Sequence, residues 1–114
     1  MPYLMVQTNT SIDTEAAQAF ISKASSTVSQ LLGKSENYVM VSFQPPVSMT
    51  FAGTTAPAAF LELKSIGLPE NATAEISNAL CTLVSNELGI AQERVYIEFA
   101  NDARHMWGWN GSTF

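Results

Sequence analysis

The start of the sequence contains a residue that could act as a base, the proline at position 2, which directly follows Met1. Proline is one of the small residues that permit removal of an initiator methionine, and its nitrogen then becomes a secondary amine. An amine is a base only when it is neutral, and burial or a nearby ammonium group lowers its pKa towards neutral pH. We therefore expect Pro2 to be a candidate general base. A Met-Pro opening without catalytic meaning is the alternative.

A second candidate is Lys34, which follows the glycine at the end of the first predicted helix. A cation beside a helix C-terminus is favourable by about 0.3–1 kcal/mol, which is a sufficient structural reason for a lysine there. In the topology predicted below, Lys34 is also the basic residue at the strand–helix corner near Pro2. A functional role beside Pro2 is therefore the alternative to the structural role at the helix end, and both interpretations stay open at this point.

Cysteine and histidine are too few for most metal or disulfide chemistry. Cys81 is the single cysteine, which excludes an internal disulfide, and His105 is the single histidine. Because most zinc sites need several nitrogen or sulfur ligands, we expect neither a metal nor another cofactor. We expect Cys81 to pack at the flank of a helical stripe and His105 to lie in a solvated loop.

The chain contains an internal repeat. The segment from Leu32 to Phe43 recurs from Leu88 to Phe99, and the glycines of the two copies are 56 positions apart. Each copy, at about 2–44 and 58–100, contains a β-type run, a helical stretch and a second β-type run, which is typical of a βαβ unit. The 114 residues suit one domain, so we predict a single domain over residues 1–114.

Four strands and two helices follow from the repeat, with strands predicted at about 3–8, 38–44, 58–64 and 94–100. Asp13 or Thr14 can begin the first helix, and Gly33 can end it. Pro69 fits the first turn of the second helix, which ends at Gly89. Right-handed crossovers put both helices on one face of the sheet, so the fold class is α+β. The predicted helical stripes are Ala17, Phe20, Ala24, Val28, Leu31 and Leu32, and Ile76, Leu80, Leu83, Val84 and Leu88.

The other face of the predicted sheet has no cover within the chain, although many of its side chains are apolar. Charged residues make up 13% of the chain, against about 25% in an average domain, so a monomer would be short of polar surface. We therefore expect an obligate homo-oligomer whose sheets pack around a common centre. The apolar residues expected on this face are Tyr3, Met5, Tyr38, Met40, Phe60 and Tyr96.

Charge and hydropathy exclude several partners and locations. The net charge of −5 argues against nucleic acid and against an anionic membrane, because both need a basic patch. The sequence has no run of about 18 apolar residues and no signal-peptide pattern. We expect a cytoplasmic protein, with secretion by a non-standard route left open.

Two further segments are unusual in composition. Residues 45–57 form a proline- and glycine-containing loop with an apolar middle that could carry a short extra strand. The tail from Asn101 to Phe114 holds two tryptophans in glycine- and asparagine-rich surroundings, which is too apolar for a disordered tail. We expect the tail to dock, as an edge strand on a neighbouring subunit.

Five short motifs occur in order along the chain: Met1-Pro2 before a strand, Gly33-Lys34, Ser65-Ile66-Gly67 after the third strand, Arg94-Val95-Tyr96-Ile97, and the ending from Gly108 to Phe114. Together they make the chain similar to the macrophage migration inhibitory factor family of the tautomerase superfamily, over its whole length. The resemblance implies a homotrimer of the duplicated βαβ unit. It also implies a cofactor-independent keto–enol tautomerase whose base is the N-terminal proline.

The same resemblance implies roles for other residues. Lys34 would bind the substrate carboxylate, and the backbone N–H of Ile66, beside Ser65, would anchor the substrate's acid or carbonyl group as an oxyanion donor does. Tyr96 would reach the proline of a neighbouring subunit. The substrate would be a small aryl 2-oxo acid such as phenylpyruvate, or a dopachrome-like compound. Three aromatic residues would line its pocket: Tyr38, Trp109 and Phe114.

The sequence departs from the family pattern at several positions. Glu98 replaces a substrate-contacting asparagine, and a carboxylate disfavours an anionic substrate unless it is paired or turned to solvent. Trp107 replaces a small aliphatic residue at the mouth of the site. Residues 58–61 lack the cysteines of a proposed dithiol motif, and Pro46 occupies the acidic position of a chemokine-like charged pair. Because the chemokine-like charged pair is missing, an enzyme is favoured over the alternative, a cytokine-like binding protein with a vestigial pocket.

Overall fold

The computed structural model describes residues 1–114, which form a four-stranded mixed sheet, two long helices and a small C-terminal hairpin. This confirms the predicted α+β architecture. The strands of the sheet are β1 (Tyr3–Thr8), β2 (Met40–Phe43), β3 (Ala59–Ile66) and β4 (Val95–Asp102), and the helices are α1 (Thr14–Leu32) and α2 (Thr73–Leu88). The hairpin strands are β5 (Gly108–Trp109) and β6 (Ser112–Thr113).

The sheet has the strand order β2-β1-β3-β4, which places the first strand of each repeat at the centre. Strands β1 and β2 are parallel, as are β3 and β4, because each pair is joined through a helix. The two halves meet where β1 and β3 pair antiparallel, with Tyr3 opposite Lys64 and Thr8 opposite Ala59. The repeat in the sequence is therefore a repeat in the structure.

Helix α1 begins and ends at the predicted signals. The Asp13 carboxylate accepts a hydrogen bond from the Ala16 N–H at 2.7 Å, which makes Asp13 the N-cap rather than Thr14. At the other end Gly33 adopts a left-handed conformation, with φ of 63°, and the N–H of Lys34 donates to the Ser29 carbonyl at 3.1 Å. This is a Schellman-type end, which fixes the direction in which Lys34 leaves the helix.

Both helices pack on one face of the sheet and form a single core. Phe20, Ala24 and Val28 are the buried residues of α1, while the other predicted stripe residues of that helix are partly buried. The strands contribute alternate residues, as expected for a sheet with one covered face. The 15 buried core residues are Leu4, Val6, Phe20, Ala24, Val28, Ala59, Leu61, Leu63, Leu68, Ile76, Leu80, Val84, Leu88, Ile90 and Val95.

Several predicted boundaries were wrong by two or more residues. Strand β2 begins at Met40 because residues 36–38 form a 3₁₀ turn, in which the Ser35 hydroxyl accepts from the Asn37 N–H. Strand β3 extends to Ile66, so Ser65 and Ile66 belong to the strand rather than to the loop after it. Helix α2 begins at Thr73, and Pro69 instead precedes a 3₁₀ turn over 70–72.

The uncovered face of the sheet is more polar than the sequence analysis expected. The pairing aligns Ser42, Met5, Glu62 and Glu98 in one row across the four strands. Met40 and Tyr96 are each 65% exposed, whereas Met5 is 8% exposed. Tyr38 lies in the 3₁₀ turn and is not a strand residue of this face. The face is therefore mixed: exposed apolar side chains lie on the two edge strands, β2 and β4, and glutamates lie on β3 and β4.

The tail and the linker pair within themselves. The tail makes the β5–β6 hairpin, and its turn is Asn110-Gly111, whose φ angles of 53° and 79° are those of a type I′ turn. This dipeptide is the strongest hairpin signal in the sequence, and it was not recognised in the sequence analysis. The linker over 45–57 contains only one isolated β-bridge, between Phe51 and Thr54, instead of an extra strand.

One side chain, Arg94, holds the linker against the end of the sheet. Its guanidinium group donates to four backbone carbonyls, with distances of 2.9–3.4 Å, and lies 5.2 Å from the centre of the Phe51 ring. The accepting residues are Phe51, Thr54, Ala56 and Pro57.

We predict that Arg94→Met lowers the free energy of unfolding by about 1–2 kcal/mol, since the four carbonyls lose a charged donor but remain open to water. The measurement is urea denaturation followed by tryptophan fluorescence. Arg104→Met is the matched control, because Arg104 is exposed and makes no ion pair or side-chain hydrogen bond. An Arg94→Met variant as stable as the control would show that the Arg94 contacts with the linker do not contribute to the free energy of unfolding.

Candidate active site

Pro2 lies at the buried start of the central strand β1. Its side chain is fully buried, and its carbonyl accepts a hydrogen bond from the Met40 N–H at 3.0 Å. This bond extends the pairing of β1 and β2 to Pro2. Pro2 borders a cleft of about 440 Å³, which we call the Pro2 cleft. Eight of its twelve lining residues are hydrophobic, and the lining includes Met1, Tyr3, Tyr38, Lys64, Trp107, Trp109 and Phe114.

An aromatic wall forms one side of the Pro2 cleft. The rings of Trp109 and Phe114 stack with centroids 5.4 Å apart and planes 11° apart. The Tyr38 ring meets both edge-on, at 5.8 Å and 6.4 Å. Such edge-to-face and stacked pairs are favourable geometries for aromatic rings. The wall is therefore a preformed apolar surface against which a flat aryl group can pack.

Three separate segments build this wall. The 3₁₀ turn over 36–38 carries Tyr38, strand β5 carries Trp109, and the last residue, Phe114, carries the third ring. The Phe114 N–H donates to the Trp107 carbonyl at 3.2 Å, which ties the chain end to the start of the hairpin. Trp107 itself is partly buried and lines the same cleft. The structure thus brings four of the aromatic candidates together.

Lys34 approaches the same region from the end of α1. Its Nζ donates to the Ile66 carbonyl at 3.0 Å rather than to the last carbonyls of its own helix. The Ser65 hydroxyl donates to that carbonyl as well, at 3.1 Å. The side chains of Ser65 and Ile66 are buried, with 0% and 5% exposed. These contacts fix the ammonium group at the end of β3, outside the lining of the Pro2 cleft.

The N-terminal amino group lies close enough to Lys34 for the two charges to interact. Burial, and secondly the positive charge of Lys34, lower the pKa of the Met1 amino group from its usual value near 8.0. Both effects act against the protonated form. An amine at this position is therefore more often neutral, and available as a base, than an amine in water.

Two predicted site residues lie elsewhere in the chain. Tyr96 is in register with Phe60 and Gln7, five residues along β1 from Pro2, or about 17 Å at the rise of a strand. It borders a second apolar cleft of about 380 Å³, and its ring packs against Phe51 at 4.6 Å. Glu98 is exposed, next to Glu62 on the adjacent strand. Neither side chain lines the Pro2 cleft of its own chain.

Among the lining residues of the Pro2 cleft that sequence reasoning missed, two carry a polar group outside the aromatic rings, Lys64 and Asn37. Lys64 reaches the cleft because the antiparallel register of β1 and β3 pairs it with Tyr3. No local signal in the sequence indicates that register. Asn37 enters through the 3₁₀ turn over 36–38, which the sequence pattern did not predict.

The remaining candidate residues, His105 and Cys81, do not belong to a cluster of metal-ligating side chains. No group of three or more histidine, cysteine, aspartate or glutamate side chains could hold a metal ion. His105 is exposed in a 3₁₀ turn at 104–106, and Cys81 is partly buried against the core. Neither helix is both long enough and apolar enough to cross a membrane.

The sequence and the fold both match known proteins over the whole chain. The family model for macrophage migration inhibitory factor matches residues 1–114. The macrophage migration inhibitory factor of Rattus norvegicus is 37% identical over 115 residues, which cover 100% of this chain and 99% of that protein. The homolog from Brugia malayi is 38% identical over 118 residues, with coverages of 100% and 99%.

Solved structures give the same result. The macrophage migration inhibitory factor homologue from Prochlorococcus marinus superposes with a TM-score of 0.93 at 40% identity, covering 98% of each chain. The macrophage migration inhibitory factor from Trichinella spiralis superposes with a TM-score of 0.90 at 34% identity, covering 98% of this chain and 99% of the other. The resemblance inferred from the five short motifs is therefore confirmed, and this chain belongs to the macrophage migration inhibitory factor family.

Proposed function

We propose that this protein is a cofactor-independent keto–enol tautomerase of aryl 2-oxo acids, with the Pro2 amine as general base once Met1 has been removed. The observation that carries the proposal is the environment of the N-terminal amino group. It lies beside a cleft with an aromatic wall, and burial and Lys34 lower its pKa. After removal of Met1, the secondary amine of Pro2 would lie one residue closer to β1 and would border the same cleft.

The reaction needs a single proton to move between oxygen and carbon. In the direction from enol to ketone, the neutral Pro2 nitrogen accepts the proton of the enol hydroxyl. It then delivers this proton to the carbon next to the one that bore the hydroxyl, so the neutral amine is regenerated. The aryl group packs on Tyr38, Trp109 and Phe114. The Lys34 ammonium group, which keeps free donors beside the Ile66 carbonyl, binds the substrate carboxylate.

Family membership and the exposed sheet face support a homotrimer. In one chain the exposed Tyr96 lies far from Pro2, and a second copy could bring its own Tyr96 and Glu98 to the Pro2 cleft. Strands β2 and β4 are edge strands with unpaired backbone groups, which natural proteins cover or pair. Assembly would cover these edges together with the exposed Met40 and Tyr96.

A second candidate function is cytokine-like binding of a protein partner, because the relatives carry the name macrophage migration inhibitory factor. The chain offers little for a charged partner contact at the position of the chemokine-like pair. Pro46 stands at its acidic position, and Arg94 is occupied by backbone carbonyls. We therefore favour the enzyme.

The trimer can be checked by sedimentation at micromolar concentration. We expect one species near three times the 12.3 kDa mass of the chain, because the uncovered face and the two sheet edges are buried between copies. A folded species that sediments as a monomer would remove the intersubunit part of the site.

The role of Pro2 can be checked by inserting one alanine between Met1 and Pro2. The insertion converts the Pro2 nitrogen to an amide, so we expect phenylpyruvate ketonisation to fall to the uncatalysed rate. Intact mass verifies the N-terminus of the wild type and of the variant, and sedimentation verifies that assembly is unchanged. Full activity in the verified variant would assign the base to another group.

The role of Lys34 can be checked with Lys34→Met, assayed on phenylpyruvate and on its neutral methyl ester. Loss of a charge-assisted contact worth about 1.5–3 kcal/mol should lower kcat/KM for the acid by about one to two decades, and for the ester by much less. Removing the cation also raises the pKa of the amine, so activity should begin at higher pH for both substrates. Burial remains, so the pKa should stay below its usual value.

Lys23→Met is the matched control, since Lys23 pairs with Glu87 on the surface between the two helices, at 2.8 Å. Equal losses for acid and ester, without any movement of the pH profile, would leave Lys34 with a structural role only.

A further inference from the structure

Lys64 is a cation of the Pro2 cleft to which neither the family resemblance nor the proposed reaction gives a role. It lies on β3, two residues before the carbonyl that Lys34 contacts, so both lysines are fixed to the same short segment of strand. At the rise of a strand, Cα atoms two residues apart are separated by about 7 Å. The end of β3 therefore presents one ammonium group beside the cleft and a second one in its lining.

The surroundings of Lys64 leave part of its hydrogen-bonding capacity free. Its row across the sheet contains Met40, Tyr3 and Ala100, and none of these is an acceptor directed at it. The Tyr3 hydroxyl is hydrogen-bonded to the Ser42 hydroxyl at 2.6 Å, on the side of β2. The Lys64 side chain is 43% exposed. An ammonium group has three N–H donors, so a ligand in the cleft can receive at least one.

One carboxylate, that of Glu62, pairs with Lys64. The Nζ–Oε2 distance is 3.4 Å, which is an ion pair without a close hydrogen bond. Glu62 also stands directly opposite Glu98 on β4, and like charges in such cross-strand positions repel each other. A single carboxylate oxygen at 3.4 Å does not occupy all three N–H donors of Lys64.

We infer that Lys64 is a specificity-determining residue that binds a second anionic group of the substrate. Lys64 lies in the lining of the cleft, and the Lys34 ammonium group lies at the end of the same strand, on the Ile66 carbonyl. The cleft then prefers a 2-oxo acid with a further carboxylate on its aryl group over one with a single carboxylate. This inference rests on the proposed function.

The test compares phenylpyruvate with the better of its meta- and para-carboxy derivatives. The quantity measured is the ratio of kcat/KM for the dianion to kcat/KM for the monoanion, at low ionic strength, on protein whose Met1 removal is verified by mass. We expect Lys64→Met to lower this ratio about three- to tenfold, because the lost contact is charged but half-exposed. Added salt should also lower this ratio for the wild-type protein, because it screens the attraction between Lys64 and the second carboxylate.

Two further variants control the interpretation. Glu62→Gln leaves Lys64 in place and removes its partner, so the ratio should rise at least about twofold. This variant also keeps the inference testable if Lys64→Met fails to fold. Lys23→Met, a surface lysine with a similar ion pair outside the site, should leave the ratio at the wild-type value.

The inference is wrong if Lys64→Met leaves the ratio unchanged, or if Glu62→Gln lowers it. Equal losses for both acids would also overturn it, since Lys64 would then act on the base or on the fold. If the wild type turns over neither acid, the proposed function fails by itself. Calorimetric affinities for the same two acids then decide the role of Lys64: a dianion preference that Lys64→Met abolishes supports it, and its absence overturns it.

Discussion

The central position of β1 is the constraint on which the site depends. The first strand of the chain is hydrogen-bonded on both edges, parallel to β2 and antiparallel to β3, and its residues Leu4 and Val6 are completely buried. A strand in the middle of a sheet cannot move without breaking two ladders. Pro2, one residue before it, is therefore held in place by the whole sheet, although a chain terminus is usually the most mobile part of a domain.

The duplication supplies the scaffold, and the differences between its copies supply the residues of the candidate site. Ala58 stands where the second copy would have its Pro2, inside the chain and without an amine. The counterpart of Lys34 is Ile90, which is completely buried in the core. Tyr38 and Arg94 end equivalent 3₁₀ turns. Tyr38 joins the aromatic wall, and Arg94 holds the linker. The last residue of this turn therefore contacts a neighbouring segment in both halves.

Local signals in the sequence predicted much of this fold, because they act within a few residues. Asp13 and Gly33 mark the ends of α1 by their own hydrogen bonds and conformation, and the repeat revealed the two βαβ units. Strand ends were less accurate: Ser65 and Ile66 stay in β3 because β4 continues beside them to Asp102, and that pairing is a long-range property. The same limit hid Lys64, whose place in the cleft follows from its register with Tyr3. The Asn110-Gly111 hairpin, by contrast, was a readable local signal.

The linker over 45–57 is attached to the rest of the protein mainly through its own backbone. The Asn9 side-chain amide donates to the carbonyls of Met49, Thr55 and Ala56 and accepts from the Ala58 N–H, while Arg94 holds a further set of carbonyls. Backbone carbonyls are present whichever side chains the linker carries. Most of its exposed residues can therefore be exchanged without changing its path, which makes this segment a place where related proteins can diverge in surface character and where foreign side chains can be introduced at fixed positions.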